Sequence, residues 1–395
     1  MNKGGKIVKI APPAGIPGGE VMIDCEGLDV SEPSQCAVLM DGEVAPLVAL
    51  SPRRVLAVIP ELKRGKGQSA EGKGPRAESK GQSEESKRQS GEGQGQSDES
   101  QAQSAKSKGL SESITDGVGM VEVVLESQGE RSQPVHFLAG RRIAEDLHPV
   151  TSPAFDPDDG ALFVTRSGSR GEQLPISLFR IDVDGELTEF SGDITNPTAI
   201  AFDKEGQMFV TSRLDGNVYR VTPFNEAIPF ARNLGVATGL AFDSLGQMYV
   251  GDRNGTIFKV SEIGEEQSWA QLEPSVSAYH MAFGPDDALY VTGPTVTSFD
   301  LISRIDKDGN VSVFYRGLGR PQGLAFDSDG NLYVAATLRG RRGIVRITPD
   351  AQKAEIFVAG MNLVGLAFSA LGEMVVVSND SVYKLAVGIH GMLLG

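Results

Sequence analysis

The sequence has few cysteines, a single tryptophan and no long apolar run. Only two cysteines, Cys25 and Cys36, occur among its 395 residues. This count excludes a disulfide-rich scaffold and a four-cysteine zinc site built from this chain alone, and whether the two form one bridge stays open. A membrane-spanning helix needs about 18 or more consecutive apolar residues, and we therefore expect no membrane span. The N-terminal segment also lacks the continuous apolar core of a signal peptide.

An excess of positive charge is lacking as well. The chain has 52 Asp and Glu residues against 37 Lys and Arg residues, which gives a formal net charge of −15. Such a charge disfavours nucleic acids and anionic membranes as partners bound through bulk charge. We therefore expect no nucleic-acid partner and a cytoplasmic location for the chain as written. Export stays open as the alternative if the true start lies upstream and includes a signal.

Motifs of common catalytic and cofactor sites are missing too. The sequence contains neither a phosphate-binding GxxxxGK[ST] loop nor a GxSxG nucleophile elbow. The sequence has four histidines, none with metal-ligand spacing: His136, His148, His280 and His390. We therefore predict no metal and no cofactor. What the chain does have is 48 Gly and 21 Pro, which favour many short strands joined by turns.

Residues 63–116 form the clearest compositional boundary. Leu110 and Ile114 are the only large apolar residues in a stretch rich in Gly, Ser, Gln and charged side chains. A segment of this composition cannot bury enough apolar surface to fold by itself. We interpret it as a disordered linker, with a partner-binding segment as the alternative.

Short alternating strands flank this linker on both sides. KIVKIAPP, GEVMIDCEG, CAVLMDGEVAP and RVLAVIPE precede it, and GMVEVVLES and PVHFLAG follow it. Four strands alone could not cover a sandwich face, so both sides are predicted to form one domain over residues 5–140. The opening I..I.PP.G..GG.V.I...GL and the later A.VIPE resemble the IPT/TIG family. That resemblance implies an immunoglobulin-like β-sandwich, from which this chain departs by its long insertion.

A repeated phrase dominates the sequence after residue 140. Versions such as SPAFDPDDGALFV, AIAFDKEGQMFV and GLAFDSDGNLYV recur at intervals of 40 to 47 residues. Their shared phenylalanines are Phe155, Phe202, Phe242, Phe283, Phe326 and Phe368. This period is that of a four-stranded propeller blade, and each phrase predicts two strands joined by an Asp and Gly turn.

The last repeat lacks a fourth strand, because GIHGMLLG after Val387 is short and rich in Gly. The missing strand is predicted upstream, since Arg142–Asp156 aligns with Phe230–Asp243 and gives residues 143–147 the sequence of a fourth strand. Its pairing with the last repeat would close the ring and remove exposed edges. The predicted fold is therefore all-β, with an immunoglobulin-like sandwich followed by a closed six-bladed β-propeller over residues 141–388.

The repeated phrases resemble NHL-type propellers and, more distantly, the six-bladed gluconolactonase and regucalcin family. For the lactonase relatives, the resemblance implies a divalent cation, usually calcium, held at the channel mouth by Glu, Asn and Asp side chains. The matching positions here are Thr151, Thr238, Tyr279 and Gln322, and the two remaining repeats offer Thr198 and Val364. None is a carboxylate, so metal-dependent lactone hydrolysis is not expected. Calcium would be a cofactor only under a lactonase-like alternative.

Two further features suggest a ligand-binding face. His280 stands where the other repeats have Ser, Ala or Gly, which is explained either by packing drift in one repeat or by ligand contact at the channel mouth. Arginines also recur in loops that a propeller would gather on one face. They are Arg166, Arg170, Arg213, Arg253, Arg320, Arg339, Arg341 and Arg342. Such a rim would attract an anionic ligand, unless these arginines are ordinary loop residues paired with Asp215 or Asp252.

Our leading hypothesis is a non-catalytic recognition protein whose loop-rich propeller face binds a protein, a glycan or an anionic small molecule. A hydrolase or lyase of the lactonase-like class, with a rearranged site around Tyr279, His280 and Gln322, is the first alternative. A structural scaffold is the second.

Overall fold

The computed structural model describes residues 5–62, 119–147, 152–168, 172, 174–191, 194–297 and 299–392. The predicted linker, Thr151 and Arg170 lie outside the described residues. Within these ranges the regular structure consists of strands and one 3-10 turn at Pro33–Gln35, so the chain is all-β there. No helix in the described part is long and apolar enough to cross a membrane.

The N-terminal strands form two facing sheets. The strands are β1 (Lys6–Ala11), β2 (Ala14–Gly15), β3 (Glu20–Glu26), β4 (Cys36–Met40), β5 (Glu43–Ala45), β6 (Leu47–Ser51), β7 (Arg54–Val58), β8 (Met120–Ser127), β9 (Glu130–Arg131) and β10 (Val135–Ala139). One sheet has the order β1-β3-β7-β6, and the other has the order β2-β10-β8-β4-β5 with β9 beside β8. Strands from both sides of the predicted linker therefore share one sheet, because β8 pairs with β4.

The core of this region lies between the two sheets. Side chains of β3 alternate, so Val21, Ile23 and Cys25 point inward and are buried, as the period of two in a strand requires. Cys36, on the facing sheet, is also buried, and both cysteines are free thiols in this structure. Burial raises the pKa of both thiols and keeps them protonated and unreactive at neutral pH. We refer to the two sheets together as the N-terminal sandwich.

The rest of the described chain forms six successive groups of four antiparallel strands. One strand, β11 (Arg141–Ala144), precedes the first group and belongs to the last. The first three groups are β12 (Ala154–Phe155), β13 (Leu162–Thr165), β14 (Leu178–Ile181) and β15 (Leu187–Ser191); β16 (Pro197–Phe202), β17 (Met208–Ser212), β18 (Asn217–Val221) and β19 (Ala227–Ala231); and β20 (Ala237–Phe242), β21 (Met248–Asp252), β22 (Thr256–Val260) and β23 (Glu266–Gln271).

The remaining three groups continue the same pattern. They are β24 (His280–Phe283), β25 (Leu289–Thr292), β26 (Asp300–Ile305) and β27 (Val311–Gly319); β28 (Leu324–Phe326), β29 (Leu332–Leu338), β30 (Arg341–Ile347) and β31 (Ala354–Ala359); and β32 (Leu363–Phe368), β33 (Met374–Ser378), β34 (Val382–Leu385) and β11. In the last group, Arg141 pairs with Lys384 and Arg142 pairs with Tyr383. A strand from before the first repeat thus occupies the outer position of the last one. It begins two residues before the predicted range 143–147 and ends three residues before the end of that range.

Aromatic side chains hold neighbouring groups together. In the fourth group, the ring of Tyr290 lies 5.0 Å from Phe314 of the same group and 4.8 Å from Phe326 of the next. Equivalent clusters of three rings recur at four other junctions: Phe163, Phe190 and Phe202; Phe209, Phe230 and Phe242; Tyr249, Trp269 and Phe283; Tyr333, Phe357 and Phe368. The recurrent Phe of the sequence phrase is therefore the residue that packs back onto the preceding group.

The repeated Asp and Gly residues form tight turns. Asp327 accepts hydrogen bonds from the backbone N–H groups of Asp329 (3.0 Å) and Asn331 (2.8 Å) and from the hydroxyl of Tyr333 (3.1 Å). Gly330 has a φ of +81°, a conformation that glycine adopts without strain. The carboxylate of Asp327 is thus committed to turn geometry.

The N-terminal sandwich is joined to the fifth group by strand pairing. Strand β2 lies parallel to both β10 and β31, with Ala14 opposite Leu138 on one side and Val358 on the other. The backbone N–H of Ile16 also donates to the carbonyl of Ala359 (2.9 Å). A side chain at Gly19 would place its Cβ 2.6 Å from that carbonyl oxygen. The two regions therefore share a continuous hydrogen-bonded sheet, which we call the seam.

Candidate ligand-binding face

The starts of the innermost strands and the ends of the second strands lie on one face of the strand groups. This follows from antiparallel register, since His280 at the start of β24 pairs with Thr292 at the end of β25. In the second group, Pro197 pairs likewise with Ser212. We call this end the upper face, and the Asp and Gly turns lie at the opposite end.

A cavity of about 90 Å³ lies where the six innermost strands converge. Each strand group contributes two residues to it, and small residues or glycines predominate at the first position of each pair. The lining residues are Ser152 and Pro153, Ala199 and Ile200, Gly239 and Leu240, His280 and Met281, Gly323 and Leu324, and Gly365 and Leu366. Four-stranded groups arranged around a central cavity are the pattern of a β-propeller.

His280 is the one titratable side chain in this lining. Its exposed fraction is 8%, and its imidazole has no hydrogen-bond or ion-pair partner in the described part of the chain. Burial lowers the pKa of His280 to about 4, so the ring is neutral at physiological pH. A neutral imidazole offers one donor and one acceptor to whatever enters the cavity.

Thr238 and Tyr279 are occupied by structural hydrogen bonds. The hydroxyl of Thr238 accepts a bond from the backbone N–H of Tyr279 (3.0 Å) and lies 3.4 Å from the carbonyl of Gly251. The phenol of Tyr279 donates to the carbonyl of Glu273, and the residue is 3% exposed. Burial is the main cause that raises the pKa of Tyr279. Neither side chain opens toward the cavity as a free ligand group.

The other positions taken from the lactonase resemblance are equally poor in charge. Thr198 is buried, and its hydroxyl lies 3.5 Å from the carbonyl of Asn196. Gln322 is half-buried, and its backbone carbonyl accepts a hydrogen bond from the hydroxyl of Thr292 (2.5 Å). The described residues contain no group of three or more His, Cys, Asp or Glu side chains that could hold a metal ion. The donors present therefore do not fit calcium, which requires several oxygen ligands including carboxylates.

Arg213 and Arg253 occupy the same register in adjacent strand groups. Each is the first residue after the second strand, and its backbone N–H donates to the residue before the innermost strand, Asn196 (3.2 Å) or Val236 (3.1 Å). Identical backbone anchoring therefore brings the two side chains to neighbouring positions on the upper face.

Their guanidinium groups lack acidic partners. Arg213 donates to the carbonyl of Gly168 (3.3 Å), and its pKa is lowered by burial and, to a smaller degree, by the charge of Arg253. No carboxylate of the described chain forms an ion pair with either arginine. Asp215 accepts a hydrogen bond from the hydroxyl of Tyr219 (2.5 Å), and Asp252 accepts one from the backbone N–H of Val236 (2.9 Å). The alternative pairing with these two aspartates is therefore not observed.

The remaining arginines of the predicted rim differ among themselves. Arg166 follows β13 and is half-buried, Arg320 is exposed before β28, and Arg339 is exposed in the turn between β29 and β30. Arg342 is exposed and approaches the sulfur of Met361 at 4.0 Å.

Arg341 requires a correction. It was expected on a ligand-binding rim, but its guanidinium donates to the carbonyls of Ala11 (3.3 Å) and Glu20 (2.9 Å) across the seam. The reason is the length of the hairpin that carries it, because β29 and β30 have seven residues each and reach the N-terminal sandwich. Arg341 is thus a structural residue.

Asn196 is a residue that sequence reasoning missed. It is buried, has a φ of +49°, and its side-chain amide donates to the same Gly168 carbonyl that Arg213 contacts (3.0 Å). Its own carbonyl receives the backbone N–H of Arg213. The only signal was an Asn in a loop, a residue that tolerates the left-handed conformation.

Comparison with known proteins supports the fold and leaves the activity open. No protein-family model and no curated protein matches the chain. Among solved structures, a candidate gluconolactonase has a TM-score of 0.54 at 15% identity, covering 64% of this chain and 93% of its own. A gluconolactonase from Xanthomonas campestris has a TM-score of 0.51 at 14% identity, covering 62% and 88%.

A third similar structure extends over the N-terminal sandwich as well. A Bacteroides thetaiotaomicron protein of unknown function has a TM-score of 0.51 at 11% identity and covers 98% of both chains. At these identities the likeness concerns the fold alone. The chain is an all-β protein with a propeller fold.

Proposed function

We propose that this chain is a ligand-binding protein, built from an IPT/TIG-like sandwich and a closed six-bladed propeller, that recognises an anionic group on its upper face. The ligand is a protein, a glycan or a small molecule that carries a carboxylate, phosphate or sulfate.

The observation that carries it is the pair Arg213 and Arg253. These two neighbouring guanidinium groups have no carboxylate partner in the described chain. Burial and the charge of Arg253 lower the pKa of Arg213. Like charges held together without compensation cost free energy in the free protein. An anion between them would remove that cost and would accept several charge-assisted hydrogen bonds.

His280 extends the proposed site into the channel. Its neutral ring lines a cavity on the same face, where an uncharged hydroxyl or amide of the ligand could both accept and donate a hydrogen bond. The small residues opposite leave room for such a group and little more.

A lactonase-like hydrolase or lyase is the second candidate, and His280 is the observation that favours it. An imidazole can act as a general base, most effectively when its pKa is close to the operating pH. The pKa of about 4 makes His280 a weak proton acceptor at neutral pH. Turnover of simple aldonolactones that is lost in His280→Asn would establish catalysis. Binding of the same lactones without turnover would support recognition.

The anion site is tested with inorganic phosphate as the probe. We expect phosphate, added at constant ionic strength, to shift the NMR signals of the Nε–Hε groups of Arg213 and Arg253 in a saturable way. Arg213→Ser should abolish the saturable shift of the remaining Arg253 signal. Arg316→Ser, which removes an exposed arginine of β27, is the matched control and should leave it unchanged. Equal responses in the two variants would show that phosphate reports only overall charge.

A further inference from the structure

A groove of about 560 Å³ lies between the first and second strand groups, at the end opposite the upper face. Its walls come from the turns between β12 and β13, β16 and β17, and β18 and β19. Its floor is apolar and its rim is charged. The residues at its rim include Asp156, Asp158, Glu205 and Arg220, and the floor includes Phe163, Phe190, Phe202 and Met208.

Three aromatic rings form the centre of the floor. Phe163 lies 4.9 Å from Phe190 and 5.9 Å from Phe202, measured between ring centroids. Phe163 is buried, whereas Phe190 and Phe202 are half-buried. This is the first of the recurrent clusters, and here part of its aromatic surface faces a groove.

The other repeats reveal what such a cluster can accommodate. A basic residue stands opposite the second-strand aromatic residue in every cluster, as Lys259 does opposite Tyr249. The ammonium of Lys259 lies 5.2 Å from the ring centroid of Tyr249 and 4.9 Å from that of Trp269. In the fifth group, Arg346 lies 5.2 Å from the ring of Phe357. The chain therefore places cations over two of its own clusters, at distances typical of cation–π contacts.

The first cluster lacks such a cation among the described residues. Arg180 stands opposite Phe163, but its guanidinium pairs with Asp159 (2.6 Å) and with Asp182. These two carboxylates hold it at the rim of the groove instead of over the rings.

The charge around the groove complements a cation. Arg180 is neutralised by Asp159 and Asp182, and Glu205 pairs with Lys204 at 3.8 Å. The carboxylates of Asp156 and Asp158 still outnumber Arg220 among the lining residues. Arg220 is exposed, and its guanidinium makes one hydrogen bond to a described residue, a long one to Gln207 (3.5 Å). The pKa of Asp156 is raised by burial and by the charges of Asp159 and Asp158, so a cation nearby would relieve crowded negative charge.

We propose that this groove binds the organic ammonium group of a small molecule, seated against the faces of Phe190 and Phe202 with Asp156 and Asp158 beside it. A ligand cation would take the place that Lys259 occupies in the third group. The groove has the volume of small-molecule sites, about 300 to 1,000 Å³. This site is separate from the proposed anion site on the upper face and stands whether or not that one does.

The test compares choline with 3,3-dimethyl-1-butanol, which has the same shape without the charge. We expect choline to bind the full chain at least about tenfold more tightly, as measured by isothermal titration calorimetry or ligand-observed NMR. Equal affinity for the two compounds, or binding of neither, would overturn the proposal.

Two variants locate the binding. Phe190→Leu keeps an apolar side chain but removes the ring face, and Asp158→Asn removes one charge without changing shape; each should reduce the affinity for choline several-fold. Phe230→Leu changes the equivalent residue of the next cluster and is the matched control. An equal loss of choline affinity in Phe230→Leu would place binding elsewhere and contradict the proposal. Thermal melting of each variant establishes that it folds.

Discussion

The fifth strand group and the second to fourth groups all present polar side chains on the upper face. The two sets of side chains differ in how many hydrogen-bond partners they have. On the side of the fifth group, Arg341 is fully engaged by carbonyls of the N-terminal sandwich. On the other side, Arg213, Arg253 and His280 have few or no partners within the part of the chain that the structure describes. We call these the seam side and the open side. Polar groups that a fold needs for stability are satisfied, so unsatisfied ones indicate where a ligand belongs.

The largest expected effect concerns His280 on the open side. Its folded-state pKa of about 4 lies below its ordinary value of 6.5, so the unfolded chain takes up a proton that the folded chain does not. The stability that this difference contributes is present above pH 6.5 and is lost as pH falls toward 4, to a total of about 3 kcal/mol. Denaturant unfolding across this range should show a steeper loss in the wild type than in His280→Asn. Equal slopes would mean that the ring is hydrated or partnered.

On the seam side, Arg341→Met should lower the free energy of unfolding by about 2 kcal/mol, because two carbonyls lose a charged donor. Chemical denaturation measures this loss directly. Arg342→Met changes the exposed neighbour and is the control, for which we expect little effect. A similar small effect at both positions would remove the distinction between the two sides.

The double change Arg213→Ser and Arg253→Ser should act in the opposite direction. Removing two like charges without carboxylate partners should leave stability unchanged or raise it by up to about 1 kcal/mol. Any gain should shrink as salt is added, since salt already screens the repulsion. A loss comparable to that of Arg341→Met would instead show that these arginines stabilise the fold.

The smallest effect is expected at Arg339, in the exposed turn of the hairpin that carries Arg341. Arg339 and Gly340 both have positive φ, at 51° and 82°, which is the pattern of a type I′ turn. Asn tolerates this conformation better than Arg does, so Arg339→Asn should raise stability by about 0.5 kcal/mol. A fall in melting temperature would show that the Arg339 side chain makes a contact on the seam side.

Much of the architecture could be predicted because it depends on period. The spacing of the recurrent phenylalanines follows from the length of one strand group, and their role as junction residues is the same in each repeat, as at Phe326. The location of Arg341 could not be predicted, because it depends on the seven-residue strands of one hairpin and on contact with distant Ala11 and Glu20. Likewise, whether Arg213 forms an ion pair depends on which groups Asp215 and Asp252 bind instead. No local sequence pattern encodes that choice.

Strand β11 has a consequence for the order in which the chain folds during synthesis. Only Gly140 separates it from β10, so the sandwich delivers β11 directly to the ring. Its partner β34 leaves the ribosome some 240 residues later, and loop closure over such a distance is slow. The sandwich can fold while the repeats are still being made, and it then keeps β11 beside the seam. The sandwich, which is synthesised before the repeats, thereby prepares a docking position for the last of them, and completion of the ring must wait until β34 has been made.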